Sequence, residues 1–191
     1  MNFLQSLDIK ILLMINGMNC SFLDTLMFWI SETWFWIPLY IVLIYQIFRL
    51  FGKRGIVIIV TSMLVIAVCD QIASHLIKES VQRLRPSHEP GLNNLLHFVK
   101  GYRGGEYGFV SSHAANSFGL ATFLFGFFKT RIKWLSFFLV FTAIIISYSR
   151  VYLGVHYPSD VIIAGILGVA IGWLTYILFL KLNKGWIRIG G

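Results

Sequence analysis

Three short stretches of this 191-residue chain carry side chains able to hold and react with an anion. In KESVQRLRP, Lys78 to Pro86, a lysine and an arginine lie seven residues apart. If the preceding apolar helix persists toward Pro86, that interval is close to two turns and sets Lys78 and Arg85 on one face. Pro86 disfavours helix at Arg85 and ends the element there. Two fixed cations suit a phosphate better than a metal or a neutral ligand; as a bland alternative, they snorkel at a membrane boundary. In FVSSHAANSFG, Phe109 to Gly119, Ser111, Ser112 and His113 stand before an apolar helix. Such a serine serves either as an N-cap or, with the unpaired N–H groups of the helix start, as part of a phosphate cradle that His113 also faces. In SYSRVYLGVHYPSD, Ser147 to Asp160, Arg150 closes one apolar run and Pro158 suits the first position of the next helix. Asp160 then falls in its first turn, where a carboxylate favours the helix end, and within reach of His156. A histidine held by a carboxylate keeps one tautomer and leaves its other nitrogen free to attack or to exchange protons.

The elements that must carry these groups are membrane helices. The chain is 57% hydrophobic and only 13% charged, which leaves too little polar surface for a water-soluble globule. Apolar windows long enough to cross a bilayer occupy roughly residues 34–51, 55–77, 113–128, 134–150 and 158–180. The fold class expected is therefore an all-α polytopic bundle with five transmembrane helices, in a single domain over residues 1–191. Residues 3–15 are apolar but shorter and interrupted by Gln5, Asp8 and Lys10, so they read as an interfacial helix, with a sixth crossing as the alternative. Asp8 and Lys10 also argue against a cleaved signal peptide. Cys20 and Cys69 have no metal-like spacing and read as packing residues.

The formal charge is +8, without the basic run or interleaved aromatic patch of a nucleic-acid binder. Arg49, Lys53, Arg54, Lys129, Arg131, Lys133, Lys181, Lys184 and Arg188 fall on one side, which the positive-inside rule places in the cytoplasm. Lys78, Arg83, Arg85, Lys100, Arg103 and Arg150 then lie on the other side, against that rule. An anionic ligand accounts for them. Phosphoryl transfer has matching demands: positive charge around the equatorial oxygens and an in-line nucleophile and leaving group, with two histidines flanking phosphorus. No carboxylate-rich metal spacing is present, and no metal or other cofactor is expected.

The three stretches resemble the signature of the type-2 phosphatidic acid phosphatase family of membrane lipid phosphatases. Lys78, Arg85 and Pro86 match K-x6-R-P; Ser149, Arg150, His156 and Asp160 match S-R-x5-H-x3-D. The middle pattern P-S-G-H is met by Ser111 and His113, with Val110 in place of the proline and Ser112 in place of the glycine. Ser112 keeps the backbone N–H that the glycine position supplies. The resemblance covers about residues 55–180. It implies a metal-free covalent mechanism in which His156 attacks phosphorus and Asp160 orients it. Lys78, Arg85, Arg150, Ser111 and Ser112 hold the phosphoryl oxygens, and His113 protonates the departing oxygen and then activates water.

The implied partner is a membrane lipid phosphate met at the extracytoplasmic face of a bacterial inner membrane. Undecaprenyl diphosphate stands first among the candidates, then lipid A phosphate, with phosphatidylglycerol phosphate and phosphatidic acid behind. Transfer of the phosphoryl group to a second lipid, and a non-enzymatic phospholipid binder, are the rival readings. Asp70 and His75 read as support for the cationic cluster or as helix–helix hydrogen bonds. The glycine-rich KGYRGGEYGF, Lys100 to Phe109, lacks a nucleotide P-loop ending and reads as a loop beside the site.

Overall fold

The computed structural model describes residues 3–184, so Arg188 lies outside the described residues. The chain is an all-α membrane bundle. Among the described residues no strand forms, and a single antiparallel bridge joins Leu84 to Tyr107. In order, the helices are α1 (Phe3–Gly17), α2 (Ser21–Ser31), α3 (Ile37–Phe51), α4 (Gly55–Gln71), α5 (Lys78–Val81), α6 (Ser112–Phe128), α7 (Lys133–Tyr152) and α8 (Pro158–Leu182).

Each of the five apolar windows coincides with a helix. The stretch Thr33–Val81 is apolar over 49 residues, about 74 Å if it were one straight helix and more than twice a bilayer core. It folds back at Gly52, whose φ of +55° suits only glycine comfortably. Beyond that bend Gly55 packs directly on Ile47, so α3 and α4 form a hairpin. From α4 the helix runs on through a π-helical segment, Ile72–Ile77, into α5. α7 and α8 are long and apolar enough to cross by themselves; α6, with 17 residues, is at the short end of the spanning range. Along α8 the large side chains Ile162, Ile166, Trp173, Leu174 and Leu178 are exposed. In water they would be a liability; toward lipid they are the expected outer face.

Residues 3–15 lie in one helix, α1, as the sequence suggests, and α2 follows it closely. α1 and α2 form a pair bent by 117° that together are as apolar as a span. α1 buries Asp8, Leu12 and Asn16 on one side. Asn16 fixes the hairpin: its amide donates to the carbonyls of His97 and Tyr152, and its oxygen accepts from the His97 N–H. Asp24 of α2 accepts from the Tyr152 hydroxyl at 2.7 Å and pairs with His97 at 2.8 Å.

The centre of the bundle is the contact between α6 and α8. It is made by small residues at four-residue intervals, Ala115 and Gly119 on α6, Gly168 and Gly172 on α8. A Cβ at Gly168 would overlap the Ala115 carbonyl, and one at Gly172 the Gly119 carbonyl. Backbones in contact gain dispersion and polar interactions that lipid tails cannot supply. The pair is parallel: the Ser111 amide meets the Asp160 carbonyl at one end, and the Tyr176 hydroxyl donates to the Gly126 carbonyl at the other. Both helix N-termini therefore open at the same face.

Replacing Gly168 with Leu is expected to lower stability by about 1–3 kcal/mol or more, because the added atoms meet backbone that cannot yield. Gly17→Ala, where nothing lies within 4 Å of an added Cβ, should have little effect. Thermal unfolding in detergent, followed by circular dichroism, compares them. A wild-type unfolding temperature for Gly168→Leu would show that the close crossing is dispensable.

Candidate active site

Six backbone segments converge at that face. The start of α6 supplies Ser111, Ser112 and His113, the start of α8 supplies Asp160, and the last turn of α7 supplies Arg150. The tight turn after α7, with Gly154 at φ +69°, supplies His156. Lys78 comes from α5. Arg85 arrives differently from the expected two-turn spacing: the helix stops at Gln82 in the left-handed conformation, and Arg85 lies in extended chain at φ −68°, ψ 154°. The Arg85 amide donates to the Glu106 carbonyl and the Gly108 amide to the Arg83 carbonyl, both at 2.9 Å. In extended backbone residues two apart share a side, so Arg83 and Arg85 both face the start of α8.

The two arginines then have opposite fates. Arg83 Nη1 donates at 2.8 Å to both Asp160 Oδ1 and Ser159 Oγ, and its Nη2 donates to Asp8 Oδ2 at 2.9 Å. Its guanidinium lies 4.0 Å above the Tyr157 ring. Asp8 also accepts from the Ser159 amide and hydroxyl. Arg83 is thus held between two carboxylates and has no spare charge. Arg85, by contrast, bonds neutral carbonyls: Nε donates to Tyr107 O at 3.0 Å and Nη1 reaches Val155 O at 3.5 Å. Arg150 likewise donates to the hydroxyls of Ser31 and, at 3.0 Å, Tyr102, while its buried Nε has no partner. Neither Arg85, Arg150 nor Lys78 forms an ion pair among the described residues, although both arginines are buried. Burial and the neighbouring Arg150 push the Arg85 guanidinium down to about 10.

His156 is buried, with Nδ1 at 3.6 Å from Asp160 Oδ2. That is ion-pair contact, longer than a hydrogen bond, and the carboxylate's close partners are Arg83 and the Tyr157 amide, at 3.0 Å. The expected histidine–carboxylate pair is therefore present in space but secondary in the carboxylate's own bonding. Burial holds the His156 imidazole well below its ordinary pKa, and the nearby charges of Arg85, Arg150 and Lys78 act the same way, with His113 behind them. The same three cations surround His113. Ser111 occupies the N-cap position of α6 yet makes no cap bond with its side chain, and its buried Oγ has no partner. The simple N-cap reading therefore fails for Ser111. Ser112, at the first position of α6, is partly exposed.

The glycine-rich loop closes over Arg85. A Cβ at Gly104, which has φ +67°, would overlap the Arg85 guanidinium, and one at Gly108 would crowd both Arg85 and the Asp160 carboxylate. Tyr102 reaches Arg150, while Lys100 sits 4.2 Å above Phe28 of α2 and Arg103 4.6 Å above Phe98. Asp70 lies 3.4 Å from both Ser74 and Asn116 of α6, a helix–helix contact, and His75 pairs with Glu79 on the exposed side. Sequence reasoning gave no role to Asp8, Ser31, Tyr102 or Ser159, and it counted Arg83 among the cations that an anionic ligand accounts for, whereas Arg83 is taken up by Asp160 and Asp8. Only Arg83 left a usable signal, its two-residue spacing from Arg85, which becomes informative once the segment is known to be extended.

Chemically, three cations without carboxylate partners among the described residues, two helix N-termini and two histidines gather groups that suit a tetrahedral anion. The model of the PAP2 superfamily matches residues 55–184. Lipid A 4′-phosphatase of Bacteroides thetaiotaomicron is 40% identical over 183 residues, 95% of this chain and 80% of that protein. Lipid A 4′-phosphatase of Porphyromonas gingivalis is 31% identical over 98% of this chain and 79% of its own length. Undecaprenyl-diphosphatase of Sulfolobus acidocaldarius is 29% identical, covering 89% and 76% respectively. Among solved structures, a transmembrane PAP2-type phosphatidylglycerolphosphate phosphatase from Bacillus subtilis shares the fold with a TM-score of 0.73 at 23% identity, over 96% of this chain and 90% of that one. Aquifex aeolicus LpxE aligns with a TM-score of 0.60 at 20% identity, over 87% and 92%.

Two outcomes follow from the geometry. Arg83→Ala leaves Asp160 fully buried without its cation, and loss of one partner from such a pair typically costs about 3–5 kcal/mol. Because Arg83 is saturated by protein groups, turnover on a small phosphate ester should fall roughly 10²-fold through misplacement of His156, with little change in KM. A raised KM at normal kcat would instead make Arg83 a substrate contact. For pH, the unfolded His156 binds a proton near pH 6.5, whereas the folded one resists it, so the unfolded state holds more protons below that value. Stability must fall as pH drops from about 6.5. Between about pH 6 and 5 the wild type should lose up to about 1.4 kcal/mol per unit more than His156→Gln. Equal slopes in denaturant titrations would remove the effect from His156.

Proposed function

The chain belongs to the PAP2 superfamily, whose model spans residues 55–184, and from that membership we propose that it is a lipid phosphatase acting on lipid A phosphate through a phosphohistidine intermediate. The observation that carries the chemistry is the set of buried cations, Arg85 and Arg150 with Lys78 beside them, that pair with no carboxylate and surround His156 and His113. Such a site is electrostatically incomplete without a multiply charged anion.

In the proposed reaction Lys78, Arg85, Arg150, the Ser111 hydroxyl and the amides at the start of α6 bind the non-bridging phosphoryl oxygens. His156, neutral at pH 7, attacks phosphorus with Nε2 while Asp160 holds the Nδ1 side. The N–P bond forms as the P–O bond to the lipid breaks, and His113, protonated once the bound phosphate's negative charge offsets the surrounding cations, gives its proton to the departing oxygen. His113 then takes a proton from water; the new O–P bond forms, the N–P bond breaks, and inorganic phosphate leaves. The cations stabilise charge that spreads over the equatorial oxygens in both transition states, the term that dominates in phosphoryl transfer. No step calls for a metal.

Sequence reasoning placed undecaprenyl diphosphate ahead of lipid A. The two relatives that exceed 30% identity are lipid A 4′-phosphatases, and each aligns over nearly the whole chain. The undecaprenyl-diphosphatase relative is 29% identical. These relatives support lipid A as the first substrate. The positive-inside distribution of Arg49, Lys53, Lys129 and Lys133 supports a site on the periplasmic face of the inner membrane.

Phosphate release should be measured with lipid A, undecaprenyl diphosphate, phosphatidylglycerol phosphate and phosphatidic acid, with chelator throughout. The highest kcat/KM is expected on lipid A, with His156→Ala lowering turnover by more than about 10³-fold. A phosphoryl adduct on His156 should be trapped by acid quench. Undiminished release by His156→Ala would overturn the nucleophile, and a doubly phosphorylated lipid in place of free phosphate would make the chain a transferase.

A further inference from the structure

The glycine-rich loop carries a side chain that belongs to none of the three sequence motifs yet stands beside two of their cations. The Tyr102 hydroxyl accepts from Arg150 Nη2 at 3.0 Å, and the Arg150 guanidinium carbon lies 5.5 Å from the Tyr102 ring centre. Two residues on, Gly104 lies against the Arg85 guanidinium, and the Tyr107 carbonyl accepts from Arg85 Nε at 3.0 Å. One loop therefore touches both buried arginines. Burial and Arg150 lower the Arg85 guanidinium while Tyr102 acts in the opposite sense, so the hydroxyl is within electrostatic reach of Arg85 as well. The Tyr102 ring is partly buried and braced by Phe28 of α2, edge-on with ring centres 6.4 Å apart. Its amide donates to the Val99 carbonyl at 3.0 Å.

A phenol oxygen both accepts and donates. Arg150 uses the accepting side of Tyr102, and the hydroxyl proton meets no acceptor among the described residues. Ser31 bonds Nη1 of Arg150 alone, whereas Tyr102 stands beside both arginines. An O–H whose oxygen already contacts one cation and lies beside another is polarised to donate to the anion that the two cations hold. We propose that Tyr102 is a further phosphate ligand in the lipid phosphatase reaction proposed above, on which this assignment rests: its oxygen accepts from Arg150 while its O–H donates to a non-bridging phosphoryl oxygen. His113 remains the acid. Because a non-bridging oxygen is common to every phosphate monoester, Tyr102 serves the phosphoryl group rather than the lipid that bears it. Lys100 and Arg103 of the same loop stack over Phe28 and Phe98 instead.

Full-length protein in detergent is compared as wild type, Tyr102→Phe and Ser31→Ala. Inorganic phosphate is the binding probe, followed by phosphorus NMR titration, and turnover is measured on lipid A and on a small aryl phosphate. Tyr102→Phe keeps the ring. It should lower phosphate affinity, and kcat/KM on both esters alike, by about 10- to 100-fold, the usual effect of one lost hydrogen bond to a charged group. Its unfolding temperature should match that of the wild type. Ser31→Ala, which removes an acceptor from Arg150 alone, should cost less. A fluorine beside the hydroxyl makes a phenol a better donor and a poorer acceptor, so fluorotyrosine installed at position 102 should tighten phosphate binding. Unchanged phosphate affinity in Tyr102→Phe, a loss confined to lipid A, equal losses in Tyr102→Phe and Ser31→Ala, or weaker phosphate binding by the fluorinated protein would overturn the contact. A wild type that binds phosphate through Tyr102 yet releases none from any lipid would support the contact and sink the reaction. Full turnover of lipid A by both the wild type and Tyr102→Phe would sink the contact alone.

Discussion

Uncompensated positive charge in a buried place is the constraint around which this bundle is organised. Arg85 and Arg150 are almost wholly removed from solvent, and their hydrogen bonds go to carbonyls and hydroxyls rather than to carboxylates. The starts of α6 and α8 add the positive ends of two helix dipoles at the same point. Left to relax, such a cluster would separate or draw in a carboxylate. It stays because Arg150 is fixed in the last turn of α7, where the dipole favours a cation, and because α6 and α8 are locked by backbone contact along Gly119, Gly168 and Gly172.

Carboxylates are present nearby but assigned elsewhere. Asp160, which adjoins His156, is occupied by Arg83 and by the amide of Tyr157, and Asp8 from α1 completes the same arrangement. One arginine is thus spent on positioning so that two others remain available to a ligand. The N-terminal hairpin, outside the segment matched by the superfamily model, enters the site through Asp8 and Ser31 and steadies the loop through Asn16, Asp24 and Phe28. Its contribution is to hold in place what the later helices supply.

The two ends of the molecule treat cations differently. Beside the histidines Arg85 and Arg150 are buried and positioned by hydrogen bonds to neutral oxygens, as catalysis on a phosphoryl group needs. On the opposite side Lys53, Arg54, Lys129 and Arg131 are exposed around an aromatic base. Burial strengthens electrostatic interactions and fixes geometry, whereas exposed charges are screened by water and salt.

The amino-acid sequence by itself determined the apolar windows that became α3, α4, α6, α7 and α8, the helix start at Pro158, and the presence of Lys78, Arg85, Ser111, His113, Arg150, His156 and Asp160 at chemically telling intervals. These are local properties: hydrophobic runs, a proline at a helix start, an i to i+4 spacing. The tertiary structure decided the rest. That Lys78 and Arg85 meet through a left-handed turn at Gln82 rather than along one helix depends on the Leu84–Tyr107 bridge, whose halves are more than twenty residues apart. That Asp160 answers first to Arg83, that α1 reaches the site through Asp8, and that Ser111 leaves its hydroxyl uncommitted are all contacts between distant segments. Such contacts are fixed by the packing of whole helices against each other, where no short-range pattern of residues can encode them.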